Sequence, residues 1–418
     1  MSTCRSRTDC RLCGSTELIT VGKLAPTPPA NDFRTADRLG ETQPKYPLEL
    51  RLCGKCFHLQ LGHVVDPTLL FADYVYVSGT SPSFVRHFQS YADIVWNMVD
   101  GQEGDLAVDI GSNDGTLLKA FADLGARVSG IDPAKRIAEA ASAAGIPTRA
   151  AFFSMETAQD ILDSEGRAKI ITANNVCAHI DDLEAVILAV RYLLAPDGLF
   201  AFEVSYLRDV LEQTLFDTIY HEHLDYHSIA PLEGFLGRLG LKLIHAERVS
   251  SHGGSVRLYA AHSDSGRHPT KALQALIASE KSAGLFEEST YRKFFDHIAR
   301  AGAALVTEIK TAREQGRRIA GFGAPAKATT LLHQFELTGD DLAYIVDDSP
   351  WKQGLFSPGL NIPIVAVEHL EEEPVDDLLL LAWNFAEPII ANNRAFLTAG
   401  KRFIVPLPKL NVVTENDI

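Results

Sequence analysis

Two Cys-x-x-Cys pairs near the N-terminus constrain the fold of this chain more than any other feature. The first pair is Cys10 and Cys13, and the second is Cys53 and Cys56. A Cys-x-x-Cys turn directs two thiolates at one tetrahedral ion, so two turns complete a four-sulfur zinc site. No neighbouring histidine or carboxylate motif suggests an open coordination position, and we therefore predict a structural zinc. Two unrelated cysteine pairs or a redox pair are the alternatives.

Length and composition limit the partners of the chain. At roughly 150 residues per domain, 418 residues predict two or three domains. The net charge of −15 argues against a nucleic-acid partner, which would need a basic surface. The chain contains no apolar run of transmembrane length and no signal peptide at its polar N-terminus. We expect a cytoplasmic protein, without a membrane or nucleic-acid partner, that is a monomer or a weak homodimer.

Strand and helix patterns alternate in two separate series, which predicts an α/β fold with parallel sheets. The first series runs over residues 105–205 and the second begins near residue 317. The segment YPLELRLC alternates as a strand that leads into the second cysteine pair. We predict a zinc-binding domain over 1–72, a central Rossmann-like domain over 73–285 and a C-terminal Rossmann-like domain over 286–418.

Glycine and polar residues follow three predicted strands of the central series. Gly111 lets the backbone approach a ligand, and Asp132 is placed for the two hydroxyls of a ribose. The turn lacks the GxGxxG pattern of a dinucleotide fold, which favours S-adenosylmethionine over an ordinary Rossmann-like turn. The predicted cofactor-binding residues are Asp109, Gly111, Ser112, Asn113, Asp114, Gly115, Asp132, Pro133, Asn174 and Asn175.

The densest polar cluster of the chain is Tyr220-His221-Glu222-His223. Such a cluster is costly to bury, so it normally faces solvent or a site. If the segment is extended, His221 and His223 share one face while Tyr220 and Glu222 share the other. Metal binding by the two histidines and a solvated loop are alternatives. We favour acid–base chemistry in a cleft, because histidine exchanges protons near neutral pH.

The segment Gly321-Phe322-Gly323-Ala324-Pro325-Ala326-Lys327 is a glycine-rich turn between a predicted strand and a helix. Backbone N–H groups at such a turn can hold a phosphate, and a lysine adds a positive charge. The P-loop pattern is absent, and a structural turn is the alternative. Polar residues that include Lys352 and Asn384 follow later strands and could line the same site.

The motifs together resemble a known family. CxxC…CxxC, YxYxSGTS, DIGSNDG, ANN, YHEHLDY, HGGSxR, GFGAPAK and PWKQG occur in this order over nearly the whole chain. They are similar to those of S-adenosylmethionine-dependent C-methyltransferases that act on nucleotide-linked ketosugars. The resemblance implies a class I methyltransferase domain between a zinc-binding domain and a C-terminal nucleotide-sugar domain. It also implies methylation at carbon 3 of a dTDP-4-keto-deoxysugar.

Site residues follow from the same resemblance. It implies His223 as the general base, with Tyr220 and Glu222 contacting or polarising the sugar. Tyr76 and His179 correspond to further active-site positions of the family. The residues expected to bind substrate are Gly323, Ala324, Lys327, Lys352, Asn384 and Arg257.

The expected chemistry is removal of a proton next to a ketone, followed by methylation of the resulting enolate. His223 is the preferred base, because an ordinary carboxylate such as Glu222 is weaker by about two pKa units. The segment PTPPANDF departs from the family pattern, which leaves dTDP, GDP or another nucleotide open. Methylation at carbon 5 or at an oxygen, a non-catalytic nucleotide-sugar-binding protein and a zinc-ribbon nucleic-acid methyltransferase are the competing interpretations.

Overall fold

The structure is a computed structural model that describes residues 3–71, 82–397 and 400–417. Tyr76 and the rest of the YxYxSGTS motif lie outside the described residues. The N-terminal part contains five strands and a short helix: β1 Cys4–Ser6, β2 Leu18–Thr27, β3 Tyr46–Cys53, β4 Leu59–Leu61, β5 His63–Val65 and α1 Pro67–Phe71. Strand β3 confirms the strand predicted from YPLELRLC.

The central part alternates strands and helices as predicted. Its elements are α2 Pro82–Met98, β6 Leu106–Ile110, α3 Thr116–Asp123, β7 Arg127–Ile131, α4 Lys135–Ala143, β8 Thr148–Arg149, α5 Met155–Glu165, β9 Ala168–Asn174, α6 Leu183–Leu193, β10 Leu194–Ser205, α7 Leu207–Glu212, β11 Asp225–Tyr226, α8 Ile229–Arg238, β12 Leu241–Val249, β13 Ser255–His262 and α9 Lys271–Ser282. Residues Pro196-Asp197-Gly198 lie inside β10, where the register with β9 shifts between Leu194 and Leu199.

Seven of these strands form one sheet in the order β12-β13-β10-β9-β6-β7-β8. Strands β6 to β10 are parallel to one another, and β13 is antiparallel to both of its neighbours. Every residue of β6 is buried, as expected for a central strand covered by helices on both faces. The first strand of the series, β6, therefore lies in the middle of the sheet, between β9 and β7. The carboxyl ends of these three strands adjoin one another.

The C-terminal part forms a second α/β layer. It comprises α10 Glu288–Glu314, β14 Ile319–Phe322, α11 Ala326–Gln334, β15 Ile345–Val346, β16 Ile364–Val365, α12 His369–Glu372, β17 Asp377–Leu380, α13 Ala386–Asn392, α14 Arg394–Leu397, β18 Arg402–Val405 and β19 Asn411–Val413. The sheet order is β16-β15-β14-β17-β18-β19, with β14 to β18 parallel. The edge strand β19 is antiparallel to β18, which the predicted parallel sheet did not include.

Residues 206–226 connect the three parts. Strand β11 extends the N-terminal sheet, whose order is β11-β4-β3-β2, with Asp225 opposite Gln60. One hydrophobic core includes Leu50 of β3, Phe216 of the connecting segment and Leu331 of α11. The polar segment Tyr220–His223 is therefore placed where the three parts meet. The predicted domain boundaries at 72 and 285 stay predictions.

The chain was expected to have no membrane partner. Over the described ranges, none of the helices is both long enough and apolar enough to cross a bilayer.

Candidate active site

The four cysteines of the two Cys-x-x-Cys pairs come together in the N-terminal part. Their sulfur atoms lie within 4.8 Å of one another, with Cys10 and Cys56 at 3.5 Å and Cys13 and Cys53 at 3.6 Å. A tetrahedral zinc with Zn–S bonds of about 2.3 Å requires sulfur atoms about 3.8 Å apart. These separations fit a shared zinc ion and are too long for a disulfide.

The predicted cofactor-binding residues lie together at the carboxyl ends of β6, β7 and β9. Gly111 has φ +70°, and a Cβ there would lie 2.3 Å from Cγ2 of Val176. Asp132 links two loops, because Oδ2 accepts from the backbone N–H of Asn113 at 2.9 Å and Oδ1 from that of Ala134 at 2.8 Å. Asp114, Gly115 and Pro133 belong to these two loops, and Asn175 belongs to the loop after β9. The backbone thus forms a narrow cradle with a carboxylate at its rim.

Unpaired polar atoms line this cradle. Neither Nδ2 nor Oδ1 of Asn174 has a hydrogen-bond partner within the described part of the chain, although both atoms are buried. The same holds for the hydroxyl of Ser112. Buried polar atoms almost always have partners, so orphaned ones at a sheet edge indicate a ligand. Amide and hydroxyl groups fit the amino-acid portion of S-adenosylmethionine.

Asp109 lies within strand β6, before the loop that contains Gly111. It is 4% exposed, and its Oδ1 accepts from the hydroxyl of Thr172 at 2.6 Å. Burial raises the pKa of Asp109 to about 7. The hydrogen bond to Thr172 ties Asp109 of β6 to the neighbouring strand β9, beneath the cradle.

The segment Tyr220–His223 forms a turn rather than the extended stretch considered above. The backbone N–H of His223 donates to the carbonyl of Tyr220 at 2.9 Å. His221 therefore does not share a face with His223. Instead it is buried, with Nε2 3.2 Å from the carbonyl of Tyr46, and burial lowers its pKa to about 4. Among the described residues, the only group with the geometry of a metal site is the four cysteines, so metal binding by these histidines finds no support.

His223 is oriented by a backbone carbonyl. Its Nδ1 lies 2.7 Å from the carbonyl oxygen of Thr218, which can only accept, so the proton of the neutral ring sits on Nδ1. The lone pair is then on Nε2, the nitrogen that can take up a proton. The ring centroid lies 4.2 Å from that of Tyr220 and 4.9 Å from that of His179. Burial and the neighbouring His223 lower the pKa of His179 to about 3, which keeps its ring neutral.

Glu222 differs from the ordinary carboxylate assumed in the sequence analysis. It is 3% exposed, and burial raises its pKa to about 7. Its Oε1 accepts from Nδ2 of Asn31 at 2.8 Å, which favours the charged form but only partly offsets burial. The disadvantage of about two pKa units that an ordinary carboxylate has against an imidazole therefore does not apply to Glu222. Glu222 can donate or accept a proton near neutral pH.

Helix α11, which follows the glycine-rich turn at Gly323 and Ala324, contacts the segment that precedes the turn Tyr220–His223. Lys327 donates to Oδ1 of Asn384, and its ammonium lies 3.8 Å from Oδ2 of Asp217. Trp383 donates through Nε1 to the same Asp217 oxygen at 2.7 Å. Burial lowers the pKa of Lys327, and the adjacent carboxylate partly opposes this effect.

Five of the six residues predicted to bind substrate lie together in the C-terminal layer. Lys352 donates to the carbonyl of Ala324 at 2.9 Å, which ties it to the glycine-rich turn. Arg257 is not among them, because it lies on β13 of the seven-stranded sheet. Its guanidinium is buried against Glu203 at 3.0 Å and over the ring of Tyr91 at 3.9 Å. Arg257 thus neutralises a buried carboxylate near the cofactor edge.

Three residues that contact the predicted site were not expected from the sequence. Asn31 bonds Glu222, and Trp383 bonds Asp217 beside Lys327. Asn31 belongs to PTPPANDF, the segment that departs from the family pattern. A polar residue in a proline-rich loop gives no periodic signal, so its partner Glu222 could be found only from the folded chain.

Comparisons with known proteins agree with this arrangement. Three family models match in succession: "Putative zinc binding domain" over residues 10–71, "Methyltransferase domain" over 86–246 and "C-methyltransferase C-terminal domain" over 250–408. The C-methyltransferase NovU of Streptomyces niveus is 35% identical over 408 residues, which cover 97% of each chain. A ubiquinone biosynthesis O-methyltransferase of Colwellia psychrerythraea is 26% identical over 43% of this chain and 79% of its own.

Among solved structures, the magnesium protoporphyrin IX methyltransferase of Synechocystis PCC 6803 with bound SAM has a TM-score of 0.33 and 20% identity. The match covers 43% of this chain and 82% of that one.

The sheet order, the cofactor cradle and the matched domains define a class I methyltransferase that uses S-adenosylmethionine and carries a zinc-binding domain. Within that class, this chain belongs to the C-methyltransferase family of NovU, to which it is similar along almost its whole length. The predicted fold class and both predicted cofactors are confirmed.

The zinc site generates a first prediction. Cys53→Ser removes one of four ligands, so we expect less than about half an equivalent of zinc per chain and a lower folding yield, because structural zinc contributes folding free energy. Metal analysis and thermal unfolding of fresh protein measure both effects. Cys4→Ser is the matched control, since Cys4 lies outside the four-sulfur cluster. Full zinc content in Cys53→Ser would refute the ligand assignment.

The unpaired amide of Asn174 generates a second prediction. Asn174→Ala should weaken S-adenosylmethionine binding by about 0.5–1.5 kcal/mol for each hydrogen bond lost. The unfolding temperature without cofactor should change little, because no protein hydrogen bond within the described ranges is removed. Calorimetry measures the affinity, and Asn393→Ala on the far C-terminal part is the control. Unchanged affinity would exclude Asn174 from the cofactor site.

The pKa of Glu222 generates a third prediction. A carboxyl group whose pKa is raised to about 7 by folding stabilises the protein below its unfolded pKa of about 4.3, and this contribution is lost as the pH rises through 7. Glu222→Gln should therefore raise the unfolding temperature by a few degrees at pH 8, and by less at pH 5.5.

Glu49→Gln is the control, because its expected change in unfolding temperature has the opposite sign. Despite partial burial, Lys23 and Arg51 hold the pKa of Glu49 at about 2, so its charge stabilises the fold at both pH values. This variant should unfold at a lower temperature at pH 5.5 and at pH 8. A Glu222→Gln variant with the same behaviour would contradict the raised pKa of Glu222.

Proposed function

We propose that this enzyme methylates a carbon next to the ketone of a nucleotide-linked 4-keto-deoxysugar, with carbon 3 as the target and dTDP as the nucleotide. The observation that carries the proposal is the position of the turn Tyr220–His223. Directly after the turn, Leu224 donates its backbone N–H to the carbonyl of Ala178 in the loop after β9, and directly before it the carbonyl of Ile219 accepts from Thr330 of α11. The turn thus joins the cofactor sheet to helix α11, where a cofactor and a phosphorylated substrate could meet. Similarity to a C-methyltransferase over the whole chain supports carbon as the methylated atom.

Carbon methylation needs a base, because carbon is a poor nucleophile until a proton is removed next to a carbonyl group. In our proposal, Nε2 of His223 removes this proton while Thr218 holds Nδ1–H. A positioned general base contributes roughly 10²–10⁴-fold to the rate. His179 keeps a neutral ring against His223, so it adds no positive charge that would oppose protonation of the base.

The enolate oxygen that forms in this step needs hydrogen-bond donors. Glu222, with a pKa of about 7, is partly protonated at neutral pH and can donate to it. The hydroxyl of Tyr220 is a second candidate donor beside the base, and the family resemblance assigns Tyr76 a place in the same site. Each donor aimed at a developing oxyanion is worth about 2.7–4 kcal/mol. Bound S-adenosylmethionine supplies the electrophilic methyl group.

The C-terminal layer would bind the nucleotide and diphosphate. The N-terminus of α11, which follows the glycine-rich turn, offers N–H groups to phosphate oxygens. The N–H groups of Gly323 and Ala324 are already bonded, to the carbonyl of Val346 at 2.7 Å and to Oδ2 of Asp347 at 2.6 Å, so these two residues would shape the turn rather than hold the phosphate. Lys327 and Lys352 contribute positive charge at the same turn, and Asn384 a polar edge. Arg257 would act from the cofactor side, through Glu203, rather than on the nucleotide. The domain boundaries at 72 and 285 are part of this proposal.

Exchange of the sugar α-proton in deuterated water tests both the reaction and the base. His223→Ala should abolish exchange and methyl transfer while cofactor affinity stays within a few-fold. Glu222→Gln should lower turnover yet retain exchange, because the histidine base remains. NMR follows the exchange, and His245→Ala on the distant strand β12 is the control.

The opposite pattern would reassign the base. Exchange that survives in His223→Ala and vanishes in Glu222→Gln would make the carboxylate the base. Methyl transfer by the wild type without any exchangeable α-proton in the substrate would favour O-methylation instead.

A further inference from the structure

Two adjacent threonines of helix α11 contact the segments that hold the two acid–base side chains. The hydroxyl of Thr329 donates to the carbonyl of Ala30 at 3.0 Å. The hydroxyl of Thr330 donates to the carbonyl of Ile219, also at 3.0 Å. Thr329 is 4% exposed and Thr330 is fully buried, so neither bond competes with bulk water. Each acceptor carbonyl belongs to a residue that is next in sequence to a hydrogen-bond partner of His223 or Glu222.

The Thr330 contact leads to His223. Ile219 follows Thr218 directly, and the carbonyl of Thr218 is the acceptor for Nδ1–H of His223 at 2.7 Å. Asp217, on the other side of Thr218, is held by Trp383 at 2.7 Å and lies 3.8 Å from Lys327. The C-terminal layer therefore anchors the residues on both sides of the carbonyl that orients the imidazole.

The Thr329 contact leads to Glu222. Asn31 follows Ala30 directly, and its side-chain amide donates to Oε1 of Glu222 at 2.8 Å. A loop rich in proline has few backbone donors of its own, so a hydrogen bond from outside the loop fixes where Asn31 points. Helix α11 thus anchors the segment that presents the amide to the carboxyl group.

We propose that Thr329 and Thr330 are positioning residues that couple the nucleotide-binding layer to the acid–base pair. Helix α11 begins at the glycine-rich turn, so a phosphate held at its N-terminus would fix the helix. Its two threonines would in turn fix Thr218 and Asn31, and through them His223 and Glu222. The catalytic groups are then aligned by the layer that binds the substrate. This inference rests on the proposed function for its turnover measurement.

Replacement of each hydroxyl by a methyl group tests the proposal with little change of shape. Thr330→Val and Thr329→Val should each lower kcat at least ten-fold, while KM for the nucleotide-ketosugar and Kd for S-adenosylmethionine stay within about two-fold. Thr330→Ser and Thr329→Ser keep the hydroxyl and should restore most of the turnover. Thr307→Val is the matched control, because that hydroxyl bonds within its own helix, to the carbonyl of Ala303 at 2.7 Å.

A second readout does not depend on the substrate. Histidine ¹⁵N spectra of the full-length zinc-bound enzyme report which ring nitrogen carries the proton, and the His223 signal is identified by its absence in His223→Gln. The wild type should show the proton on Nδ1. Thr330→Val should show a mixture of both tautomers, whereas Thr330→Ser and Thr307→Val should match the wild type. Thr330→Ala replaces the valine variant if the latter does not fold.

The outcomes separate the two proposals. Absence of methyl transfer to ketosugars by the wild type would overturn the proposed function, and the tautomer measurement would still decide the role of Thr330. An unchanged tautomer in Thr330→Val, or unchanged kcat in both valine variants, would overturn the positioning role. Serine variants as impaired as the valine variants would assign the threonines to packing and would overturn it as well.

Discussion

Burial of a polar turn is the constraint on which the rest of the structure depends. Glu222 is 3% exposed, and a buried polar group without a partner costs about 1–3 kcal/mol. The turn and the residue after it find partners in separate parts of the molecule. Asn31 of the N-terminal part bonds Glu222, the carbonyl of Thr218 accepts from His223, and the carbonyl of Ala178 accepts from Leu224 directly after the turn. Because Ile219 is anchored by α11, the C-terminal layer participates as well. The candidate site is complete only when all three parts are assembled.

The zinc-binding domain contributes to this assembly through residues that adjoin its ligands. Arg11 lies between two ligand cysteines, and its fully buried side chain donates to the carbonyl of Leu61 at 3.0 Å and is 3.9 Å from Asp225. His58, two residues after Cys56, lies 2.7 Å from the same carboxylate. Although burial opposes it, Arg11 and His58 hold the pKa of Asp225 below its usual value. A zinc ion bound by the two Cys-x-x-Cys pairs therefore also holds strand β11, which follows the turn Tyr220–His223.

Local patterns predicted the elements of this fold, but they could not predict contacts between distant segments. The buried strands β6 and β14, the glycine turns and the cysteine pairs are readable because each depends on neighbours in sequence. The turn Tyr220–His223 was considered as an extended segment, since alternating polar residues do not reveal that His221 pairs with Tyr46. Arg257 was grouped with the nucleotide site because its motif does not show the partner Glu203 on the adjacent strand.

Perturbed acidity alone would not have identified the candidate base and acid. Burial raises the pKa of Asp109 and that of Glu222 to about 7, yet their surroundings differ. Asp109 is bonded to the adjacent strand through Thr172, beneath the cofactor cradle. Glu222 is next to an imidazole whose proton is fixed on Nδ1 and is bonded to an amide from another part of the chain. Burial thus affects the two carboxyl groups alike, but Asp109 links two strands whereas Glu222 is suited to proton transfer. The difference lies in the segment that reaches each carboxyl group. For Asp109 it is the neighbouring strand β9, and for Glu222 it is the loop of Asn31, which helix α11 holds through Thr329 and Ala30.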